Sequence, residues 1–141
     1  MPGRNPYIED DLIRDEALRL KPYRCTAGKL SIGVGRNLED IGITRDEALH
    51  LLANDIARVE VECRAAFPWF DALDPVRQAV VLNMAFNLGL PKFRLFKQTL
   101  AAIAAGRYDA AARQMQLSKW ARQVGDRAKR LARMMRTGLR S

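Results

Sequence analysis

Apolar side chains recur at helical spacing near the start of the chain, which predicts a first helix over residues 6–21. At about 100° per residue, Glu16 falls in the middle of the apolar arc. The apolar residues of that arc are Ile8, Leu12, Ile13 and Leu20. Burial of a carboxylate favours its protonated form, and a protonated carboxyl group can serve as a general acid. A buried ion pair with Arg127 or Arg130 is the alternative explanation for Glu16.

The next segment, residues 23–34, alternates between apolar and polar positions and predicts a β-hairpin. A three-residue loop ending at Gly28 fits its middle, because glycine readily adopts the left-handed conformation that such loops need. In that register Cys25 pairs opposite Lys29, and Cys25 and Ser31 share one face of the sheet.

Cap signals define the helices that follow. Thr44 and Glu47 form a capping box that begins a helix over 44–66, about 33 Å long. Asp74 and Pro75 begin the next helix, which is apolar on nearly all sides and is therefore expected at the centre of the core. Further helical segments are predicted at 93–105, 108–117, near Trp120 and at 126–136. The chain is thus predicted to be a mostly helical α+β protein with one small sheet.

The charged residues are distributed unevenly along the chain. The net charge is +8, and residues 107–141 alone hold 10 basic and 2 acidic side chains. Such a block implies an anionic partner, namely nucleic acid, an acidic membrane surface or an anionic wall polymer, unless it only solubilises the chain. One histidine and two cysteines make a metal site improbable. A disulfide between Cys25 and Cys63 is disfavoured in a reducing compartment.

The spacing of three polar residues resembles a known family. Glu16 is followed after eight residues by Cys25 and after five more by Ser31, with Ile-Gly-Val-Gly at 32–35. This pattern is similar to that of the phage-type lysozymes, glycoside hydrolase family 24, which have Glu, then Asp or Cys, then Thr, and an Ile-Gly-x-Gly run. Other segments resemble the family in the same order along the chain: 43–48, 82–89, Trp120, 127–130 and 136–138.

The resemblance implies one lysozyme-like domain over 1–141. It would have a small lobe at about 22–43, a linking helix at about 44–66, and a helical lobe at about 67–141 that includes the first helix. It also implies a monomeric muramidase without a cofactor, which cuts the β-1,4 bond between N-acetylmuramic acid and N-acetylglucosamine in peptidoglycan. Glu16 would be the general acid of an inverting reaction, and Cys25 and Ser31 would direct a water.

The resemblance further implies substrate contacts, among which Arg127 matches an arginine that the family pairs with its catalytic glutamate. The matching positions are Asn83, Phe86, Asn87, Lys119, Trp120, Gln123 and Arg127, for which ordinary packing is the alternative. The chain departs from the family pattern at Cys25, which replaces Asp, and at Ser31, which replaces Thr. Arg36 replaces a histidine of some members, and the segment 37–43 is short.

Three other functions remain open at this point. A lytic transglycosylase would use Glu16 alone, a wall-binding relative would not cut, and a nucleic-acid-binding protein would use the basic tail, although no docking motif is recognisable there. No apolar stretch of membrane-spanning length and no signal peptide are visible. The chain is therefore expected to be made in the host cytoplasm and to reach the wall through a separate pore. Residues 107–141 are expected to contact an anionic membrane or lipopolysaccharide, in part through the amphipathic segment 127–140.

Overall fold

The computed structural model describes residues 5–141. By its contacts the chain divides into two units, one up to His50 and one from Leu51 to Ser141. The mostly helical α+β class is confirmed. The elements of the described residues are α1 (Ile8–Glu16), β1 (Arg19–Arg24), β2 (Leu30–Gly33), β3 (Arg36–Asn37), α2 (Arg45–Ala66), a 3-10 helix (Phe70–Ala72), α3 (Pro75–Leu88), α4 (Leu90–Phe93), α5 (Lys97–Ala104), α6 (Tyr108–Leu117), α7 (Lys119–Val124) and α8 (Asp126–Thr137).

The first helix is shorter than the apolar pattern predicts. α1 ends at Glu16, and Ala17 has a φ of +63°, outside the right-handed helical region. The chain then becomes extended, so that residues 19–21 belong to β1 rather than to the helix. Leu20, which the helical arc placed on a buried face, is 84% exposed. The prediction of a helix over 6–21 is therefore wrong from Ala17 onward.

The predicted hairpin and its register are confirmed. Tyr23 pairs with Ser31 across the strands, and the Cys25 amide donates to the Lys29 carbonyl at 2.9 Å. Gly28 closes the loop with a φ of +80°, which is the left-handed conformation that the loop needs. A third strand, β3, was not predicted; it pairs antiparallel with β2 and gives a sheet of order β1-β2-β3.

The capping box at the start of α2 is also confirmed. The Glu47 amide donates to the Thr44 hydroxyl at 3.1 Å, and the Thr44 amide donates to the Glu47 carboxylate at 2.8 Å. These reciprocal bonds satisfy amide groups that have no partner within a helix. α2 then runs continuously to Ala66, as the sequence predicts.

The second unit is built around α3. Asp74 caps this helix by accepting from the Arg77 amide at 3.1 Å, and Pro75 occupies its first turn. Val80, Val81 and Met84 have no exposed surface, so the prediction of a buried central helix is confirmed. The core around it is formed mainly by Val59, Cys63, Phe67, Phe70, Phe93, Ile103, Ala111, Met115, Trp120, Ala128, Leu131 and Met135.

The later helices agree with the sequence except in one place. The helix predicted at 93–105 begins only at Lys97, because the chain leaves helical geometry at Phe96, which has a ψ of +58°; the short helix α4, which precedes it, was not predicted. α6 has the predicted bounds, and α8 ends at Gly138 in the left-handed conformation typical of a helix end. Among residues 5–141, none of the helices has the length and apolar character needed to cross a bilayer.

Candidate active site

Glu16 is the last residue of α1, and its carboxylate lies against the turn between β2 and β3. A Cβ atom added at Gly35 would stand 3.0 Å from Oε2 and 3.2 Å from Cδ of Glu16. Such a contact is tighter than nearly all contacts of real Cβ atoms, so a methyl group here would displace the carboxylate by a few tenths of an ångström. Gly35 also has a φ of +69°, which disfavours side chains for a second reason. The Ile-Gly-Val-Gly run thus provides a glycine surface on which the Glu16 carboxylate rests.

The surroundings of Glu16 differ from those expected from the apolar arc. Glu16 is exposed, and α1 contains no buried residue. The expectation that Glu16 occupies a buried stripe is therefore wrong. The physical reason is that periodicity identifies residues on one side of a helix but does not determine what covers that side. An exposed carboxylate in contact with a turn is open to a ligand.

Cys25 and Ser31 lie together on the hairpin, as the register predicts. Ser31 is 2% exposed, and its hydroxyl donates to the Lys29 carbonyl at 3.2 Å. Hydrogen bonds from the backbone of Lys29 and Ala27, with a further one from the Ser31 side chain, lower the pKa of the half-buried Cys25 thiol. Burial, by contrast, raises the pKa of the Cys63 thiol in the second unit to about 11. Of the two free thiols, Cys25 is therefore the one that ionises more readily.

Arg36 follows Gly35 directly and holds this part of the chain to the start of α2. Its guanidinium donates to both carboxylate oxygens of Glu47, each at 2.8 Å, and to the Gly42 carbonyl at 3.1 Å. The Arg36 guanidinium, together with the Thr44 amide, lowers the pKa of Glu47 to about 2. The residue that departs from the family's histidine therefore forms a two-pronged ion pair with the capping-box glutamate.

In the second unit, Arg127 and Asn83 form one cluster. Nε and Nη2 of Arg127 both donate to Oδ1 of Asn83, at 3.0 and 2.7 Å. Both residues line a mostly apolar cavity of about 300 Å³ together with Phe86, which is 46% exposed. Three of the residues that the family resemblance selected are thus brought together by α3 and α8.

The remaining selected residues meet at a different place in this unit. Nε1 of Trp120 donates to Oδ1 of Asn87 at 2.8 Å, and the Trp120 ring packs edge-on against Phe96 at 6.3 Å between centroids. Trp120 is only 3% exposed, so most of its ring belongs to the core. Lys119, Trp120 and Gln123 line a groove of about 530 Å³. This groove offers amide and ammonium groups beside apolar side chains.

Sequence reasoning missed several residues that shape the surroundings of Glu16 and the groove beside Trp120. The contact of Gly35 with Glu16 was not anticipated, although the left-handed preference of an Ile-Gly-x-Gly run could have indicated a turn there. Leu88, Lys92 and Phe96 line the groove beside Trp120, and no local pattern marks them. Within residues 5–141, His, Cys, Asp and Glu side chains form no group of three that could hold a metal ion.

A model of the phage lysozyme family matches residues 14–137, a range that contains every candidate site residue named above. The chain belongs to the phage lysozyme family. Membership assigns it to the lysozymes, a class of glycoside hydrolases, and the resemblance carried by Glu16, Cys25 and Ser31 is confirmed at the level of the family.

Relatives of this lysozyme differ widely in length. The chain is 29% identical over 162 residues to the pre-baseplate central spike protein Gp5 of Enterobacteria phage T4, covering 95% of this chain but only 28% of the spike protein. It is 28% identical over 160 residues to the probable T4-type lysozyme 1 of Dictyostelium discoideum, covering 93% of this chain and 94% of that protein. An endolysin of Acyrthosiphon pisum secondary endosymbiont phage 1 is 30% identical over 115 residues, covering 77% of this chain and 73% of its own length.

Proposed function

We propose that this lysozyme is a muramidase that hydrolyses the β-1,4 bond between N-acetylmuramic acid and N-acetylglucosamine in peptidoglycan, with Glu16 as its general acid. The observation that supports the proposal best is the seating of the Glu16 carboxylate on Gly35. A carboxylate that is exposed and lies beside a turn can reach a glycosidic oxygen.

In the proposed reaction Glu16 gives its proton to the oxygen of the leaving sugar while a water attacks the anomeric carbon from the opposite face. The attacking water loses a proton to the solvent, and Glu16 regains its proton from the solvent after the products leave. Attack from the opposite face is the inverting course, in which the second group acts on the water and not on the sugar. Cys25 and Ser31 take that second role. The lowered pKa of the Cys25 thiol and its position beside Ser31 on the hairpin suit a pair that orients a water.

The two clusters of the second unit bind the glycan in this proposal. Lys119 and Gln123 present donors that suit sugar hydroxyls and amides, beside the edge of Trp120. Asn87 fixes the indole through its hydrogen bond. Asn83 orients Arg127, and Phe86 provides an exposed ring against which the apolar face of a sugar can pack. The pairing of Arg127 with the catalytic glutamate remains a prediction.

The decisive experiment compares Glu16→Gln with wild type in a turbidity assay on chloroform-treated Gram-negative cells. Loss of the general acid is expected to lower the rate of clearing by about 10²-fold or more, since positioned acids contribute on that scale. Asp15→Asn is the matched control, because it removes an exposed carboxylate from the same turn of α1. Clearing by Glu16→Gln at the wild-type rate would refute the assignment. Cys25→Ser is expected to weaken lysis less than Glu16→Gln does.

Mass spectrometry of the digested peptidoglycan distinguishes the proposed hydrolase from a lytic transglycosylase. Hydrolysis adds water and leaves reducing ends. A transglycosylase leaves 1,6-anhydro ends, because the substrate's own 6-hydroxyl attacks. Anhydro products would retain Glu16 as the acid but overturn the role of Cys25 and Ser31 in directing a water.

We also propose that the enzyme acts as a monomeric endolysin on the periplasmic wall of the host, reached through a separate pore, and that residues 107–141 contact an anionic membrane or lipopolysaccharide on the way. The 10 basic and 2 acidic residues of that segment support the contact. Leu131, Met134 and Met135 are buried in the core, so the charged side of α8 is the side available for it.

A further inference from the structure

Basic side chains of this enzyme fall into two groups that differ in their partners. Among residues 5–141, each cation with a carboxylate within 4 Å precedes residue 78, and none after that position has one. The paired cations are Arg14, Arg24, Lys29, Arg36, Arg58, Arg64 and Arg77. The basic side chains of residues 107–141 therefore have no carboxylate partner within 4 Å in the part of the chain that the structure describes.

Part of this unpaired charge converges on one groove between α6 and α8. The groove has a volume of about 530 Å³ and is lined by Arg113 of α6 and by Lys129, Arg133 and Arg136 of α8. The only carboxylate in its lining is Asp109, which lies in the first turn of α6 and pairs with none of these cations among the described residues.

The spacing along α8 sets the separation of the cations. Lys129, Arg133 and Arg136 follow one another by four and then three residues, so they share one side of the helix. At 1.5 Å of rise per residue, the Cα atom of Lys129 is about 6 Å from that of Arg133 and about 10.5 Å from that of Arg136 along the helix axis. A ligand with two anionic groups at a comparable separation would engage the row.

The floor of the groove is formed by small residues. Ala112 and Ala132 are 6% and 3% exposed and leave room for a bulky group between the cations, where Gln116 adds an amide. Guanidinium groups bind phosphate oxygens through paired hydrogen bonds, and amides suit sugar hydroxyls. We propose that this groove binds the phosphorylated saccharide headgroup of an envelope glycolipid. The proposal deepens the envelope contact of residues 107–141 and rests on it, but it does not depend on Glu16.

Two other anionic surfaces fit the groove less well. Insertion into a bilayer requires exposed apolar side chains on the binding face, whereas the apolar residues of α8 are in the core. Single-stranded nucleic acid is held by bases that stack on aromatic rings, and no aromatic side chain lines this groove. Both remain outcomes of the test.

The test measures binding of glucose 1,6-bisphosphate by calorimetry at about 0.15 M salt, where long-range attraction is largely screened. The double variant Arg113→Gln/Arg133→Gln removes two groove cations. Arg94→Gln/Arg107→Gln removes two exposed cations elsewhere in the unit and is the matched control. The groove variant is expected to bind at least about 10-fold more weakly than wild type, and the control within about 2-fold. Circular dichroism checks that both variants fold.

Equal weakening in the two variants would overturn the proposal, because it would show attraction to net charge alone. Tighter binding of phosphatidylglycerol vesicles or of DNA than of the bisphosphate would also overturn it. Hydrolysis of purified peptidoglycan separates this inference from the proposed function. The groove variant should digest free peptidoglycan at the wild-type rate even when it no longer binds the bisphosphate.

Discussion

The two units of this lysozyme are stabilised in different ways. Among residues 5–50, Ser31 is the only buried side chain, and the sheet is held by backbone ladders, tight turns and ion pairs such as Arg36 with Glu47. In the second unit, twenty apolar side chains are buried around α3. One unit therefore depends on directional polar contacts, and the other depends on the hydrophobic effect.

In the proposed function, the two units have different tasks. The proposed acid and its water-directing partners lie in the unit held by turns and hydrogen bonds, where the contact of Glu16 with Gly35 depends on a backbone conformation. The proposed glycan contacts lie on the surface of a packed core. Hydrogen-bonded turns form a small surface beside the carboxylate, while a core supports a broad binding surface.

The largest expected effect is a loss of stability, and it comes from opening a cavity in the core of the second unit. Phe93 is fully buried and packs edge-on against Phe67 at 5.7 Å and against Phe96 at 6.0 Å. Phe93→Ala is expected to lower the free energy of unfolding by about 3–5 kcal/mol. Urea unfolding followed by tryptophan fluorescence measures this loss, because Trp69 and Trp120 are both in the second unit.

A matched surface change is Leu95→Ala, since Leu95 is 72% exposed. It should change the free energy of unfolding by less than about 0.5 kcal/mol. Similar losses for Phe93→Ala and Leu95→Ala would contradict the statement that the second unit is stabilised by its buried core.

A smaller effect on stability, with a large effect on lysis, is expected at Gly35. Gly35→Ala forces a side chain into a left-handed conformation, which costs about 1–2 kcal/mol, and pushes its methyl group against Glu16. Gly28→Ala has the same kind of φ, +80°, but open space around the new methyl group. Both variants should lose similar stability, and Gly35→Ala alone should lose most of its lytic rate. Equal lytic rates for the two variants would remove the proposed role of the Gly35 contact.

Sequence reasoning succeeded where structure is decided locally. The hairpin loop at Gly28, the capping box of Thr44 and Glu47, and the left-handed end at Gly138 all depend on residues within one turn of each other. Each was predicted and each is confirmed. The end of α1 was not, because Ala17 carries neither a glycine nor a proline signal and yet has a positive φ.

The candidate site residues, too, were predicted correctly only where nearby residues in the sequence decide their positions. Cys25 and Ser31 were placed on one face by the hairpin register alone. The bond between Trp120 and Asn87 joins residues 33 positions apart, and that between Arg127 and Asn83 joins residues 44 apart. No local pattern could predict such pairs, and only the family resemblance selected their members. The burial expected for Glu16 failed because a helical arc does not reveal its tertiary environment.

The smallest expected effect tests the polar stabilisation of the first unit by pH. The pKa of Glu47 is lowered from 4.5 to about 2, mainly by its bond with Arg36. Because the folded value lies below the unfolded one, the stabilisation is fully present above about pH 4.5 and is lost as the pH falls toward 2. The protection factor of the Leu38 amide, which donates to the Leu30 carbonyl at 2.8 Å, should fall over this interval. In Glu47→Gln the fall should be smaller, because the side chain no longer titrates, whereas Asp46→Asn, in the same turn of α2, should behave as wild type. A fall of equal size in Glu47→Gln would assign the acid sensitivity to other carboxylates and would weaken the contrast between the two units.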